Sequence, residues 1–421
     1  MLNKLFQDKF LRHNFVFFVG SILVAFFNYL YHPTLSRMMD IESFGEVQTL
    51  ISLFLLSSMV IGVFRTIVIN IVANAQEIKE KQELILMLQK AGLYIVLAFS
   101  ILIILFSSQL KSFLNFGSIY PFISLAVLLV LSLFFTFRCA ILQALHKFKE
   151  VSIANIYLSA GRLVFAVLLV YIGWASFGAI TAIVLAQVVA LIYVYLKTNN
   201  HLMTLVKAKV KITSIIKKEL SYAFLVFSAT LCVTFLYSAD VIVIKHYFPA
   251  NQAGFYSGIA TIARIIFFIT GSVAGVLISH IKIGNSGKEN KKVLKKSLFL
   301  VGGLGGVVFL TFLSFPDIVI NILIGQRYLD YANLLPRLSL LLFFVSIINV
   351  FFFYYLALRK YFLSIIAIFS PLIVIALSHF RHNSLLEIVN NFLWVSVLIL
   401  ITLLFRFLWQ FLIVRQNKIY G

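Results

Sequence analysis

The sequence predicts an all-α membrane protein that crosses the bilayer twelve times. Three observations carry this. Of 421 residues, 62% are hydrophobic and 44 are Phe. Charged residues make up 12%, against roughly 25% in ordinary soluble domains. The apolar residues also fall in runs of about 20 or more, the length a helix needs to cross the hydrocarbon core. A water-soluble fold is excluded. Lys+Arg 35 against Asp+Glu 14 gives a net charge of +21. In a soluble protein that would suggest nucleic acid. In a membrane protein it is sorted by location, and no nucleic-acid partner is expected. Cys139 and Cys232 both sit inside apolar runs and read as buried thiols rather than a disulfide.

The spans follow in order, with ends good to a few residues. A basic N-terminus, MLNKLFQDKFLRHN, leads into the first span, 13–34. This run is too long for a signal-peptide core and lacks a small-residue cleavage site, so it reads as a retained helix. Asp40 and Glu42 then mark an interface turn before span 2, 46–71. The charged connection 72–86 leads to span 3 (87–107), and spans 4 (119–145), 5 (151–172) and 6 (177–196) follow over short links. The stretch 197–219 contains HLMTLVKAKVKITSIIKK, which interleaves Lys with apolar residues. Such a segment fits an anionic membrane surface. Spans 7 (220–245) and 8 (254–281) precede a basic connection, 282–297. Spans 9 (298–324), 10 (334–357), 11 (361–379) and 12 (388–414) complete the set. The predicted organisation is an N-lobe, 1–200, a basic interfacial linker, 201–219, and a C-lobe, 220–421.

Orientation comes from the placement of Lys and Arg. With both termini in the cytoplasm, 24 basic residues fall on cytoplasmic segments and six on outer loops. The six are Arg37, Lys111, Lys245, Arg327, Arg337 and Arg381. Five remain inside spans, and all are arginine: Arg65, Arg138, Arg162, Arg264 and Arg406. Of the acids, only Asp240 is well inside a span, with Glu46 at an edge.

The halves look related. An offset of 209 aligns Gly45 with Gly254, Ser21 with Thr230, Ala25 with Thr234 and Asn28 with Tyr237. Six spans per half make this a parallel repeat, as in several transporter folds.

An arginine at bilayer depth costs roughly 2.5–3.5 kcal/mol on insertion scales, and is kept where it faces a cavity, a partner or a ligand. Snorkelling to the interface is the plainer reading for arginines near a span end. Arg65, Arg138 and Arg406 lie toward the cytoplasmic ends, whereas Arg162 and Arg264 lie near mid-membrane. Helical spacing adds polar stripes. Ser152, Asn155, Ser159 and Arg162 share one face; Ser257, Thr261 and Arg264 share another; so do Ser58, Gly62 and Arg65. Span 1 presents Ser21, Asn28 and His32, and span 7 presents Thr230, Thr234 and Tyr237. Polar stripes also act as interhelical glue, but a stripe ending in arginine asks for more. Arg138 stands beside its helix's polar stripe rather than on it. Asp240 and Arg264 lie within about 6 Å in depth, so an ion pair is feasible. It is either structural neutralisation or a switchable coupling pair. His32 is a second titratable candidate.

These residues point to a cationic cavity suited to phosphate or carboxylate, with amides and hydroxyls suited to sugars. A cation exporter would want carboxylates. No P-loop is present, and no HExxH or Cys/His ligand cluster.

The sequence resembles the lipid-linked oligosaccharide (O-antigen type) flippases, or polysaccharide transporters, of the multidrug/oligosaccharidyl-lipid/polysaccharide exporter superfamily. Length, span count and the 6+6 layout match throughout. LSRMMDIESFGEVQTL (35–50) is similar to that family's junction of helices 1 and 2. SADVIVIKHYFPANQAGFYSGIA (238–260), with Asp240, Gly254 and Tyr256, is similar to its helix 7–8 pattern. The resemblance implies a V-shaped pair of six-helix lobes with alternating access. It also implies a cationic cavity for the pyrophosphate and sugars of an undecaprenyl-linked unit, whose lipid tail stays in the bilayer.

The expectation is therefore a bacterial inner-membrane flippase, not an enzyme, with both termini inside. Arg65, Arg162, Arg264, Asn28, Asn155, Ser159, Thr261 and Tyr237 would bind substrate, and Asp240 and His32 would gate or couple. No metal or cofactor is expected; a coupling cation, H+ or Na+, is left open. Partners are the lipid-linked anionic oligosaccharide, membrane lipids and other polysaccharide-assembly proteins. A multidrug or lipid II exporter is the alternative within transporters, and a membrane polymerase or ligase outside them. On this reading Arg264→Ala abolishes surface polysaccharide at intact protein levels.

Overall fold

The computed structural model describes residues 9–74, 78–198, 213–281 and 287–416, and the chain divides into two compact units, Met1–Ala223 and Phe224–Gly421. Among the described residues there are fifteen α-helices, one 3₁₀ helix and no strand. Eleven helices are long and apolar enough to cross a membrane. The protein is thus an all-α, multi-pass membrane protein. The span predicted at 13–34 forms a helix but falls outside those eleven. Its described part is interrupted by Asn28, Tyr29, Tyr31, His32 and Pro33. The linker residues 201–212 lie outside the described residues, and 213–219 are the opening turns of a helix.

In the first unit, α1 (Lys9–Met38) turns at once into α2 (Ile41–Asn74). Asp40 makes that turn: its Oδ2 accepts the Ser43 N–H at 2.8 Å, which caps the new helix. Then come α3 (Ile78–Leu105), α4 (Ser107–Phe113), α5 (Tyr120–Ala144), α6 (Phe148–Tyr171) and α7 (Ala175–Lys197). Gly173, at φ +95°, allows the tight reversal from α6 to α7. Glu46 ties the same end of the unit together. It is buried, accepts the Gly117 N–H at 2.7 Å and also accepts the Ser176 hydroxyl. The carboxylate placed at a span edge by sequence is therefore a structural clasp.

Helices α1 and α6 run parallel. A Cβ on Gly20 would stand 2.7 Å from the Ser152 Cβ, so only a glycine lets the two backbones approach there. About three turns further on, Tyr31 of α1 meets Arg162 of α6. The close crossing at one level fixes which residues face each other at the next.

The next helix, α8 (Thr213–Tyr247), belongs to the second unit from Phe224 onward, and is followed there by α9 (Ala250–Ala263) and α10 (Ile265–His280), which run on through Arg264. The Arg264 N–H and C=O keep their bonds to Ala260 and Phe268. Next are α11 (Gly287–Ser314), α12 (Pro316–Leu323), a 3₁₀ turn (Gln326–Tyr331), α13 (Leu334–Ala357), α14 (Phe362–Phe380) and α15 (Leu385–Gln416). Gly45 and Gly254, aligned by the 209-residue offset, are both the fifth residue of their helices, α2 and α9. Both cysteines are free and buried.

The tightest glycine of this unit is Gly258. A Cβ there would sit 2.3 Å from Tyr328 Cε1, on a fully buried ring. Gly258→Ala should destabilise by about 1–3 kcal/mol through overpacking, read as a lower melting temperature in detergent. Gly302→Ala is the control. Its Cβ meets nothing within 4 Å, so the substitution should hold or raise stability, as glycine inside a helix is weaker than alanine.

Candidate functional site: arginines in the membrane helices

Two arginines at membrane depth are central, one in each unit, and their surroundings differ in kind. In the first unit, the Arg162 guanidinium lies over the Tyr31 ring, with Cζ 3.7 Å from the ring centroid. The ring face attracts the cation without cancelling its charge. The Tyr31 hydroxyl donates to the Ala179 carbonyl at 3.2 Å. Arg162 Nε and Nη2 are buried with no hydrogen-bond partner among the described residues. A guanidinium held by its face, with two donors unused, is a site short of an acceptor.

The second unit's arginine is satisfied. Arg264 Nη2 pairs with Asp240 Oδ1 at 3.0 Å, its Nε donates to the Tyr237 carbonyl at 3.0 Å, and Nη2 also reaches the Ser238 carbonyl at 3.4 Å. The Tyr256 hydroxyl donates to Asp240 Oδ2 at 2.8 Å. Asp240 is 2% exposed, Arg264 5% and Tyr256 0%. The ion pair that depth made feasible is formed, inside a closed knot of α8, α9 and Arg264.

Tyr31 and Asp240 are counterparts under the 209-residue offset. Each faces the arginine of its own unit. An aromatic ring in one unit leaves a net positive charge, and a carboxylate in the other removes it. Of the two mid-membrane arginines, the one left without a carboxylate among the described residues is Arg162, in the first unit.

The remaining predicted residues divide accordingly. On α6, the Asn155 amide donates to the Val151 carbonyl at 2.9 Å, and Ser159 is buried, bonded to the Ile156 carbonyl at 3.3 Å. On α1, Asn28 is half-buried one turn before Tyr31, and His32 Nδ1 lies 3.0 Å from Gln48 Nε2. Arg65 is not joined to this group. It is exposed and donates to Gln143 Oε1 of α5 at 2.9 Å. In the second unit, the Thr261 hydroxyl is spent on the Ser257 carbonyl, and the Tyr237 ring stacks on Phe267 with centroids 4.6 Å apart. Tyr237 thus serves Arg264 through its backbone.

Two arginines left unassigned by sequence are now placed. Arg138 is half-buried with Cζ 4.5 Å from the Tyr195 ring, and its Nη1 is buried with no hydrogen-bond partner among the described residues. Arg406 lies on the exposed face of α15 among Leu404, Phe405, Leu408 and Trp409, against the Phe362 ring. That is the setting of a snorkelling residue. Lys245, counted among outer-loop cations, is instead fully buried in the last turn of α8. Sequence reasoning also missed Tyr31, the ring under Arg162. The signal was available, because the repeat offset sets Tyr31 opposite Asp240.

The sequence model of the polysaccharide biosynthesis protein family matches residues 10–279, more than half of the chain. The chain belongs to that family. No curated protein matches it in overall sequence. Solved structures do match in fold. The lipid II flippase MurJ, in an inward closed conformation, gives a TM-score of 0.70 at 15% identity, covering 94% of this chain and 87% of that one. An inward-facing multidrug resistance MATE family transporter of the MOP superfamily gives 0.66 at 14% identity, covering 94% and 95%. A MOP superfamily transporter from Pyrococcus furiosus, described as having a binding pocket of reverse polarity, gives 0.56 at 14% identity, covering 96% and 94%. Identities this low carry the fold alone. With the family, they make this chain a polysaccharide-biosynthesis member built on the MOP transporter fold.

Proposed function

We propose that the protein is a flippase that moves an undecaprenyl-pyrophosphate-linked oligosaccharide from the cytoplasmic to the outer leaflet of a bacterial inner membrane, with both termini in the cytoplasm. The observation that carries this is Arg162: a membrane-depth guanidinium, uncompensated by any carboxylate in the described structure, with two donors unused. A pyrophosphate supplies the acceptors that such a fork lacks. Asn28, Asn155 and Ser159, on the helices that carry Tyr31 and Arg162, are of the types that bind sugar hydroxyls. Arg65 would meet the anion near the inner mouth. Asp240 and Arg264 act as a structural pair that holds α8 to α9, with the Tyr237 carbonyl and the Tyr256 hydroxyl supporting it. The protein performs no bond-making step. A multidrug cation exporter is disfavoured, because the open site is cationic. The family assignment and the MurJ-like fold support a lipid-linked cargo.

Reconstitution tests the proposal. Proteoliposomes should move a labelled lipid-pyrophosphate oligosaccharide to the opposite leaflet and leave its chain length unchanged. A lengthened glycan would make the protein a polymerase and overturn the proposal. Transport of cationic dyes without movement of the lipid-linked sugar would overturn it too.

A further inference from the structure

The first turns of α11 carry GKENKKVLKKSLFL. Positive-inside topology requires only that the lysines lie on one side of the membrane. It does not say which face of the helix they occupy, and that face is informative. Lys288, Lys292, Lys295, Phe299, Gly303, Val307 and Leu310 are all exposed and are spaced 4, 3, 4, 4, 4 and 3 residues apart. They form one continuous helical stripe. Asn290, Leu294, Ser297, Val301 and Gly305 are buried, spaced 4, 3, 4 and 4, and form the opposite face. Lys296 is exposed beside the stripe. Phe299 is 80% exposed and Val307 65%. On a membrane helix, such an apolar stripe faces lipid chains. The lysines continue the same stripe, so they face lipid as well.

Their height fits. Lys296 lies about 4.5 Å along the axis from Phe299, and Lys292 about 10 Å. The headgroup layer is roughly 5–7 Å thick on each side of the hydrocarbon core. With Phe299 at the edge of the hydrocarbon, Lys295 (about 6 Å away) and Lys296 stand at the height of the phosphates, and Lys292 starts just beyond them and reaches back along its side chain. Glu289 is the only acid in the segment.

We infer that this face of α11 is a binding surface for the headgroups of anionic bilayer phospholipids, with Lys292, Lys295 and Lys296 holding the phosphates and Phe299 and Leu300 lying between the acyl chains. The surface would anchor the second unit against the bilayer. It lies apart from the Arg162 site and does not depend on the cargo.

The test uses the full chain in nanodiscs of phosphatidylcholine, with phosphatidylglycerol titrated in, and reads phosphatidylglycerol binding and melting temperature. A lysine near an anionic surface is worth about fivefold in affinity. K292Q/K295Q/K296Q should therefore weaken phosphatidylglycerol binding by on the order of a hundredfold and lose the melting increment that this lipid gives the wild type. K90Q/K149Q, which removes two exposed lysines of the first unit, should keep both. A triple variant that retains the full increment would overturn the inference. So would an increment that depends on these lysines but appears only with lipid-pyrophosphate oligosaccharide in neutral discs, since the surface would then be a landing site for cargo.

Discussion

Replacing Asp240 with alanine should lower stability by roughly 3–5 kcal/mol, the usual cost of removing one partner from a buried ion pair. The loss has two parts. The Arg264 guanidinium, 5% exposed, keeps its charge with only the Tyr237 and Ser238 carbonyls to hold it. The Tyr256 hydroxyl, fully buried, loses its acceptor at Asp240 Oδ2. An unmade buried hydrogen bond of this kind adds about 1–3 kcal/mol. Thermal unfolding in detergent reads the total. The double variant Asp240→Leu with Arg264→Met should recover much of the loss, because a buried pair replaced by apolar groups of similar volume is often neutral. A single variant that melts with the wild type would remove the knot from the fold's support. The same reasoning revises the expectation drawn from sequence for Arg264→Ala. That variant strands the Asp240 carboxylate, so protein levels should fall along with surface polysaccharide, and the polysaccharide phenotype alone would say nothing about substrate contact.

Much of the fold was legible because bilayer physics writes it into composition. Runs of about 20 apolar residues, the turn at Asp40 and the two buried thiols follow from residue types alone. The site was legible only in part. Depth and stripe analysis isolated Arg162 and Arg264 but ranked them alike, since both sit near mid-membrane on polar faces. What separates them is tertiary. Arg162 meets an aromatic face across the α1–α6 crossing, and that crossing depends on a glycine at position 20, about three turns from Tyr31 on the same helix but far along the chain from Arg162. Arg264 meets a carboxylate on the preceding helix. Periodicity shows which face a residue occupies, not which helix covers that face. Lys245 shows the same limit from the other direction. Its place at a span end suggested an outer loop, but the last turn of α8 is buried.

Arg162→Leu should have the opposite signature to Asp240→Ala: unchanged or raised stability with lost transport. A charge at bilayer depth costs roughly 2.5–3.5 kcal/mol on insertion scales. At Arg162 that cost is offset by the Tyr31 ring, worth about 2 kcal/mol when desolvated, but by no carboxylate in the described structure. Removing the side chain therefore sheds a net cost of only about 1 kcal/mol, which leaves stability unchanged or slightly raised. If the open nitrogens receive a pyrophosphate, the same change removes a charged contact worth at least about 2 kcal/mol, or roughly thirtyfold in transport. Arg162→Lys separates charge from geometry. A point charge survives, but the planar fork and its stacking on Tyr31 do not, so transport should fall between the wild type and Arg162→Leu. The measurements are melting temperature and leaflet transfer of the lipid-linked sugar on the same preparations. If Arg162→Leu unfolds as readily as Asp240→Ala, Arg162 is a structural residue after all. If it transports at the wild-type rate, the pyrophosphate is held elsewhere, and Arg138, with its own buried and unpartnered Nη1, becomes the next residue to replace.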